Sequence, residues 1–545
     1  MHRFQWAPPL TRAFAATHNE KYARAFVEIT SDWIAKNPVD KPPPPPRSDK
    51  DLTGLAWLDI QTGMRASALC SAFPTMVHGE AFTPQFLATL LASLYDHQTV
   101  SMQIAAPKIW NKAITEQRGL ADVAAAFPEF KEARHWAQTA LARARDSLFA
   151  QTTDDGVQRE WCGTYHLVVL EAVVDIMRAA RALGITIPDD YRARIRKMYE
   201  YVFDMATPDL GMPMFGDSIH RPPTSPDRTH WELYNFLRGA SSLLGDPKYA
   251  ALAKLDYAQL PKQTSYAFTD AGMYALRDSW QPDQIYLALH CSPPAISRHD
   301  HPDNGTFELY AFGRRLMPDT GFYTYTTTSP WHEWFRQTCV HQTLTLSDLN
   351  ARVAGKQLLW YTTPQCDVVT VENRSYFTLA HRRTIWFVNK TFFVMLDEAI
   401  GLTRGSVDLH FQVAPGTTEL NLHRHWARTK FDDSNVLIWE PARAPVEMEQ
   451  EQGWYSPDFR IRQPRTAFRY RLTTATPAYF VTLVVPYRGD KPPRVEADRP
   501  RDFTPGDNRV ELRVKAFGKA WKIGRDLHTQ KAWCTPDMKH GLFGG

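Results

Sequence analysis

The chain has 545 residues, of which 43% are hydrophobic and 22% charged, and its formal charge is +4. That length exceeds one ordinary hydrophobic core and predicts two or three domains. The balance is that of a soluble globular protein and excludes a disordered or fibrous one. The mild positive charge is compatible with an acidic substrate, and no nucleic-acid partner is expected. No apolar run reaches the length of a membrane span. Six cysteines, at 70, 162, 291, 339, 366 and 534, form no CxxC and read mostly as buried thiols, leaving one or two disulfides open. The start, Met1-His-Arg-Phe-Gln-Trp, lacks the apolar core of a signal peptide. The expected location is periplasmic or secreted, with the signal removed.

Residues 1–50 predict a helix over 20–36 and then a proline run, Pro42 to Pro46, which cannot be helical and reads as a surface connector. From 51 to 260 one helix follows another. Thr83 with Pro84 marks an N-terminus, and 86–95 carries a helical apolar stripe. Further helices fit 113–126, 131–149, 164–183, 191–205 and 231–244. Gly184 reads as a stop and Asp246-Pro247 as another start. Short joins between long helices imply antiparallel hairpins packed as a bundle, solenoid or toroid. From 261 to 470 the pattern becomes β. Strands fit 285–290, 383–388, 391–396 and 407–413, with Asn389-Lys390 as a two-residue hairpin turn. Residues 471–545 add strands, 478–485 among them, that complete the sandwich or are appended to it. The fold class is multidomain α+β: N-terminal helical hairpins, then a C-terminal antiparallel β-sandwich.

The chemistry concentrates in His299-Asp-His301, followed by Asp303, a strand-like run over 306–312, and Asp319. His341 opens a later strand. His301, Asp319 and His341 make a three-ligand set suited to Zn2+ and leave His299 free for chemistry. A metal-free hydrogen-bonded cluster of the same residues is the rival. An ion there would be structural, fixing the loop that presents His299.

The ordered set His299-Asp-His301, Phe307-Glu-Leu-Tyr-Ala-Phe-Gly313, Asp319-Thr-Gly321, Tyr325, Phe335-Arg336 and His341-Gln-Thr343 resembles the heparinase II/III-like polysaccharide lyases. Gln342 stands where that family usually has Asn. Weaker pieces agree: Trp110-Asn111-Lys112 with Thr115-Glu116, Asp155-Gly156 with Glu160 and Tyr165-His166, Met214-Phe-Gly-Asp217, and Gly272-Met-Tyr-Ala-Leu-Arg277. The resemblance implies an (α/α) toroid joined to a β-sandwich. It also implies β-elimination on a uronic-acid polysaccharide, a glycosaminoglycan first and alginate next.

Such a reaction needs donors for the uronate carboxylate, a base for the C5 proton and an acid for the bridging oxygen. The resemblance implies Asn111 for carboxylate binding, since an amide donates without titrating. It implies Tyr165 as general acid, and as base if one residue serves both steps. His299 is the second proton-transfer or neutralising group. Lys112 stands where the family often has His, and could still supply charge. Glu116 would hydrogen-bond the substrate carboxyl or orient Lys112, with His166 behind Tyr165. Arg65, Arg336, Tyr323, Tyr325, Trp331 and Trp334 are expected to line the cleft. Asp217 reads as tying a turn at its rim and Asp303 as holding the loop. Two other readings stand. One is a glycoside hydrolase on a toroid, with Glu160 and Asp217 as its carboxylate pair. The other is a carbohydrate-binding protein without activity.

Overall fold

The computed structural model describes residues 2–39, 56–58, 60–103, 109–221, 223, 225, 227–441, 445–473 and 476–537. The proline run 42–46 lies outside the described residues. Two compact units are formed, one of residues 1–152 with 165–196, the other of 153–164 with 197–545.

The first unit is helical. Its helices include Ala7–Thr17, Glu20–Lys36, Ile60–Met76, Pro84–Met102, Asn111–Ala126, Ala133–Gln151 and the body of Gly163–Ala182. Local chemistry sets their ends. Thr83 accepts a hydrogen bond from Phe86 N, with Pro84 in the first turn where its missing N–H costs nothing. Helix Ile60–Met76 packs on Asn111–Ala126, which packs in turn on Ala133–Gln151. The first crossing brings two backbones together. A Cβ on Gly119 would stand 2.5 Å from Gly63 Cα, and one on Gly63 would stand 2.7 Å from Thr115 O. Only glycine permits that approach, and it fixes the helix that begins at Asn111.

The second unit opens with the helices Tyr234–Leu244 and Pro247–Lys254, then turns to antiparallel strands. The helix expected over 231–244 begins three residues late, because Arg228–His230 forms a separate 3-10 turn first. Five strands pair in sequence order: Tyr266–Phe268, Met273–Arg277, Tyr286–His290, Phe307–Ala311 and Arg314–Met317. An eight-stranded sheet contains Cys366–Asn373, Leu379–Val388, Phe392–Gly401 and, inserted beside the last of these, Ala478–Arg488. A four-stranded sheet contains Leu344–Leu346 and Ser406–Gln412, and another closes the chain between Glu496 and Pro536.

The eight-stranded sheet is buried on both faces. Val369, Val371, Ile385, Phe387, Phe393 and Met395 join one core with the five-stranded sheet and the sheet of Ser406–Gln412. Their neighbours Val368, Trp386, Val388, Phe392, Val394 and Leu396 join a second core with Val510, Leu512, Trp521 and Ile523 of the last sheet. Alternate side chains of a strand point to opposite faces, so burial on both matches the apolar stretches 385–388 and 392–396. The hairpin turns at Asn389 and Lys390, with φ of 50° and 53°, the paired left-handed conformation that a two-residue turn needs.

Candidate functional site

The third and fourth strands of the five-stranded sheet are joined by the loop carrying His299, Asp300, His301 and Asp303. Asp319 follows the fifth strand, and His341 immediately precedes Leu344–Leu346. Buried polar groups hold these segments together. Glu308, inside the strand Phe307–Ala311, accepts hydrogen bonds from Met214 N at 3.1 Å and Asp319 N at 3.0 Å, tying two turns to one carboxylate. Arg383, fully buried and paired with Asp397 at 2.6 Å, donates to Gln342 O at 2.7 Å and to Gly305 O. Gln342 itself donates to the carbonyls of Phe307 and Met317. The longer amide therefore takes a structural place beside His341.

Asp217 is the hub. Its Oδ2 accepts from His299 Nδ1 at 2.7 Å; its Oδ1 accepts from His301 Nε2 at 2.9 Å and from Arg336 at 2.8 Å. It reaches them through Gly216, at φ +64°, where a Cβ would stand 2.4 Å from His299 O. Asp217 N donates to that same carbonyl at 2.8 Å. Burial alone would raise the Asp217 carboxyl. The hydrogen bonds from both histidines and the Arg336 charge overcome it and hold the group at about 2. An ionised carboxylate accepting from one imidazole nitrogen places a proton there and turns the other nitrogen to the opposite side of the ring. For His299 that other nitrogen, Nε2, lies 3.6 Å from Glu160 Oε2, and the ring is partly exposed. Tyr325, 46% exposed, meets the His299 ring edge to face at 6.0 Å.

For His301 the other nitrogen is Nδ1, which has no hydrogen-bond partner. His341 shows the same pattern: Nδ1 lies 2.9 Å from Asp319 Oδ2, and Nε2 has no partner. The donor atoms of His301, Asp303 and His341 lie within 4.8 Å of one another, all buried. Two buried imidazoles, each held by a carboxylate, beside the orphaned carboxylate of Asp303 fit a small divalent cation. The sequence reading assigned Asp319 as the third ligand and Asp303 to the loop. The structure places Asp303 in the donor group and Asp319 against the His341 ring, with its Oδ1 accepting from Gly321 N.

On the helical unit, Asn111 and Glu116 are buried in the first turns of Asn111–Ala126, and Lys112 between them is exposed. Tyr165 is half-buried in the first turn of Gly163–Ala182, and His166 is buried.

The heparinase II/III N-terminus family model matches residues 1–232, and the heparinase II/III-like C-terminal model matches residues 261–498. The chain belongs to the heparinase II/III-like family. A heparin-sulfate lyase of Bacteroides stercoris is 28% identical over 547 residues, covering 97% of this chain and 81% of that protein. One of Pedobacter heparinus is 28% identical over 533 residues, covering 94% and 78%. Among solved structures, a crystal structure of heparinase III superposes with a TM-score of 0.85 at 25% identity, covering 96% of this chain and 82% of that one. A mutant heparan sulfate lyase of Pedobacter heparinus gives 0.79 at 27%, covering 96% and 82%. Helical and antiparallel-sheet halves are thus the family's architecture as well as this chain's.

Within this family frame, two expected substrate-binding arginines are placed elsewhere. Arg65 is 0% exposed, donates to His97 Nε2 at 2.7 Å and to His2 O at 2.8 Å, and stacks on Trp33 at 3.8 Å. Burial among those rings lowers its guanidinium to about 9. Arg336 is held by Asp217 and by the carbonyls of Arg298 and Asp300, so it braces the His299 loop. Trp331 sits on the short helix Pro330–Trp334 with one face covered by Arg462 at 3.4 Å and an edge contact to Trp454. Tyr323 stacks on Phe335, and Trp334 packs against the same ring. Of the lining residues expected on this unit, Tyr325 meets the His299 ring itself and Arg336 the backbone on both sides of it.

The hydrolase reading meets a geometric obstacle. Its two carboxylates, Glu160 and Asp217, are buried and address opposite nitrogens of the same imidazole. A glycosidase pair must instead flank a sugar bond. Sequence reasoning missed Asp217 as the partner of His299 and His301. The signal was present in Gly216-Asp217, a glycine that permits positive φ directly before a carboxylate. It missed His290 and Asp303 as potential donors for want of any spacing rule.

Proposed function

We propose that this polysaccharide lyase acts on heparin or heparan sulfate, breaking the bond to the 4-position of a uronic acid by β-elimination. The product carries a 4,5-unsaturated uronyl end. What chiefly supports the reading is His299, partly exposed and with its tautomer fixed by Asp217, inside a segment aligned with heparin-sulfate lyases along nearly the whole chain. In this mechanism Asn111 donates to the uronate carboxylate, so the charge that develops at C5 is partly neutralised. Tyr165 delivers a proton to the departing oxygen. His299, with Nδ1–H on Asp217, takes the C5 proton at Nε2, or Tyr165 as phenolate takes it and passes it to the departing oxygen.

His301, Asp303 and His341 would hold the cation, proposed as Zn2+, with Asp319 orienting His341. When bound, such an ion supplies fixed positive charge and anchors the loop. His301 and His299 share one carboxylate, so an ion on the first stiffens the second. A polysaccharide substrate of this kind fits a periplasmic or secreted protein. Among the described residues no helix is long and apolar enough to cross a membrane.

The test is absorbance at the unsaturated-uronyl band with heparan sulfate, chondroitin sulfate, hyaluronan and alginate offered separately. A rise confined to heparan sulfate is the expected result. A rise with alginate alone would move the substrate to that polymer. New reducing ends without absorbance would replace elimination with hydrolysis.

A further inference from the structure

Beside the His301–His341 group lies a second set of buried donors that the lyase reading leaves unused. His290 ends the strand Tyr286–His290, and Asp300 and Asp303 come from the loop that follows. Their donor atoms also lie within 4.8 Å of one another. His290 is 0% exposed, with Phe215 stacked on its ring at 5.3 Å, so the imidazole cannot turn toward water. Its Nδ1 lies 3.2 Å from Asp303 Oδ1 and its Nε2 lies 3.9 Å from Asp300 Oδ1. Yet neither ring nitrogen, nor Asp300 Oδ1, nor either oxygen of Asp303 makes a hydrogen bond. Among the described residues, no lysine or arginine pairs directly with the Asp300 or Asp303 carboxylate, and their side-chain neighbours are His290 and His341, with the Arg336 charge acting on Asp300 from further off.

Five orphaned polar atoms in one buried place are costly. A buried carboxylate short of hydrogen bonds loses several kcal/mol of hydration, and two of them side by side repel. A cation removes both penalties. Asp303 also faces two ways: Oδ1 toward His290 at 3.2 Å, Oδ2 toward His341 at 3.8 Å.

We propose that His290, Asp300 and Asp303 hold a second divalent cation, and that Asp303 bridges it to the ion held by His301 and His341. One imidazole with two carboxylates is a harder donor set than two imidazoles with one. The second position therefore favours an ion such as Mn2+, and the first favours Zn2+. The two carboxylates neutralise one divalent charge, and His290 keeps the set from being purely oxygen. Only the bridge rests on the first ion; the second site stands on its own donors.

The test counts metal and does not read activity. The full chain is stripped with chelator, dialysed against Mn2+ and Zn2+ together, freed of loose ion and analysed by elemental mass spectrometry. Wild type should retain two ions per chain. Asp300→Asn and His290→Ala should each retain one, and Asp303→Ala neither. A single ion in wild type, lost with His301→Ala and untouched by Asp300→Asn, would overturn this proposal and leave the first site standing. No retained ion would overturn both. If the variants do not fold, anomalous scattering at the Mn and Zn edges from wild-type crystals decides: two adjacent peaks are expected, and one peak overturns the second site.

Discussion

Asp217→Asn is expected to lower kcat on heparan sulfate about 100-fold or more, with KM changed far less. The carboxylate accepts from three donors, two histidines and Arg336. An amide has one oxygen and one NH2. If its oxygen faces His301 and Arg336, its NH2 faces His299 Nδ1, which must then offer a lone pair. The His299 proton moves to Nε2, the nitrogen that elimination needs unprotonated. If the amide turns over, its NH2 faces the Arg336 guanidinium, two donors opposed in a buried place. The first arrangement is the stable one, so the variant folds with His299 in the wrong tautomer. Asp217 acts through His299 and is a positioning residue. Its test therefore includes a readout that lost packing would not move. Metal affinity should fall about 10–100-fold through His301 while the folded structure is kept. A kcat within threefold of wild type would sink the assignment of Asp217 as the group that fixes His299.

Much of this was readable in the residues, and the division follows the range of the interactions. The Thr83-Pro84 start and the Asn389-Lys390 turn are local devices whose geometry the residues themselves impose. The hairpin strands were legible from the apolar stretches 385–388 and 392–396 on either side of that turn, and their burial on both faces came only with the fold. His299, His301 and His341 stand out as residue types, but their partners do not. Asp217 lies 82 residues from His299 and 119 from Arg336, and no spacing announces those pairings. Arg65 and Arg336 show the limit in the other direction. An arginine reads from sequence as a hand for anions. Here one stacks under Trp33 and the other closes a loop, both fixed by contacts formed only on folding. Asp303 and Asp319 are both carboxylates close to His341, and only three dimensions separate the one that lies between His290 and His341 from the one hydrogen-bonded to His341 and Gly321.

Tyr165→Phe is expected to cost about 1,000-fold in kcat, within the range of a lost proton donor. The substitution removes one hydroxyl and keeps the ring, so it separates two roles that a tyrosine near sugar can play. A platform works through its face, which phenylalanine retains. KM would then shift little, and kcat would stay near wild type. A proton donor works through the oxygen alone, and the loss falls on kcat and kcat/KM together, the mark of an interaction made in the transition state. The setting suits the second role. Tyr165 is the third residue of Gly163–Ala182, in a first turn without acidic side chains. The positive end of the helix dipole there favours a transient negative charge by about 0.3–1 kcal/mol. The ring is only half-buried, so losing the hydroxyl should leave the thermal unfolding midpoint nearly unchanged. Measuring the unsaturated product over time for Tyr165→Phe beside His299→Ala separates the proton roles. Loss in both variants assigns acid to one and base to the other. Full activity in Tyr165→Phe with loss in His299→Ala would give His299 both steps and reduce Tyr165 to a wall of the site.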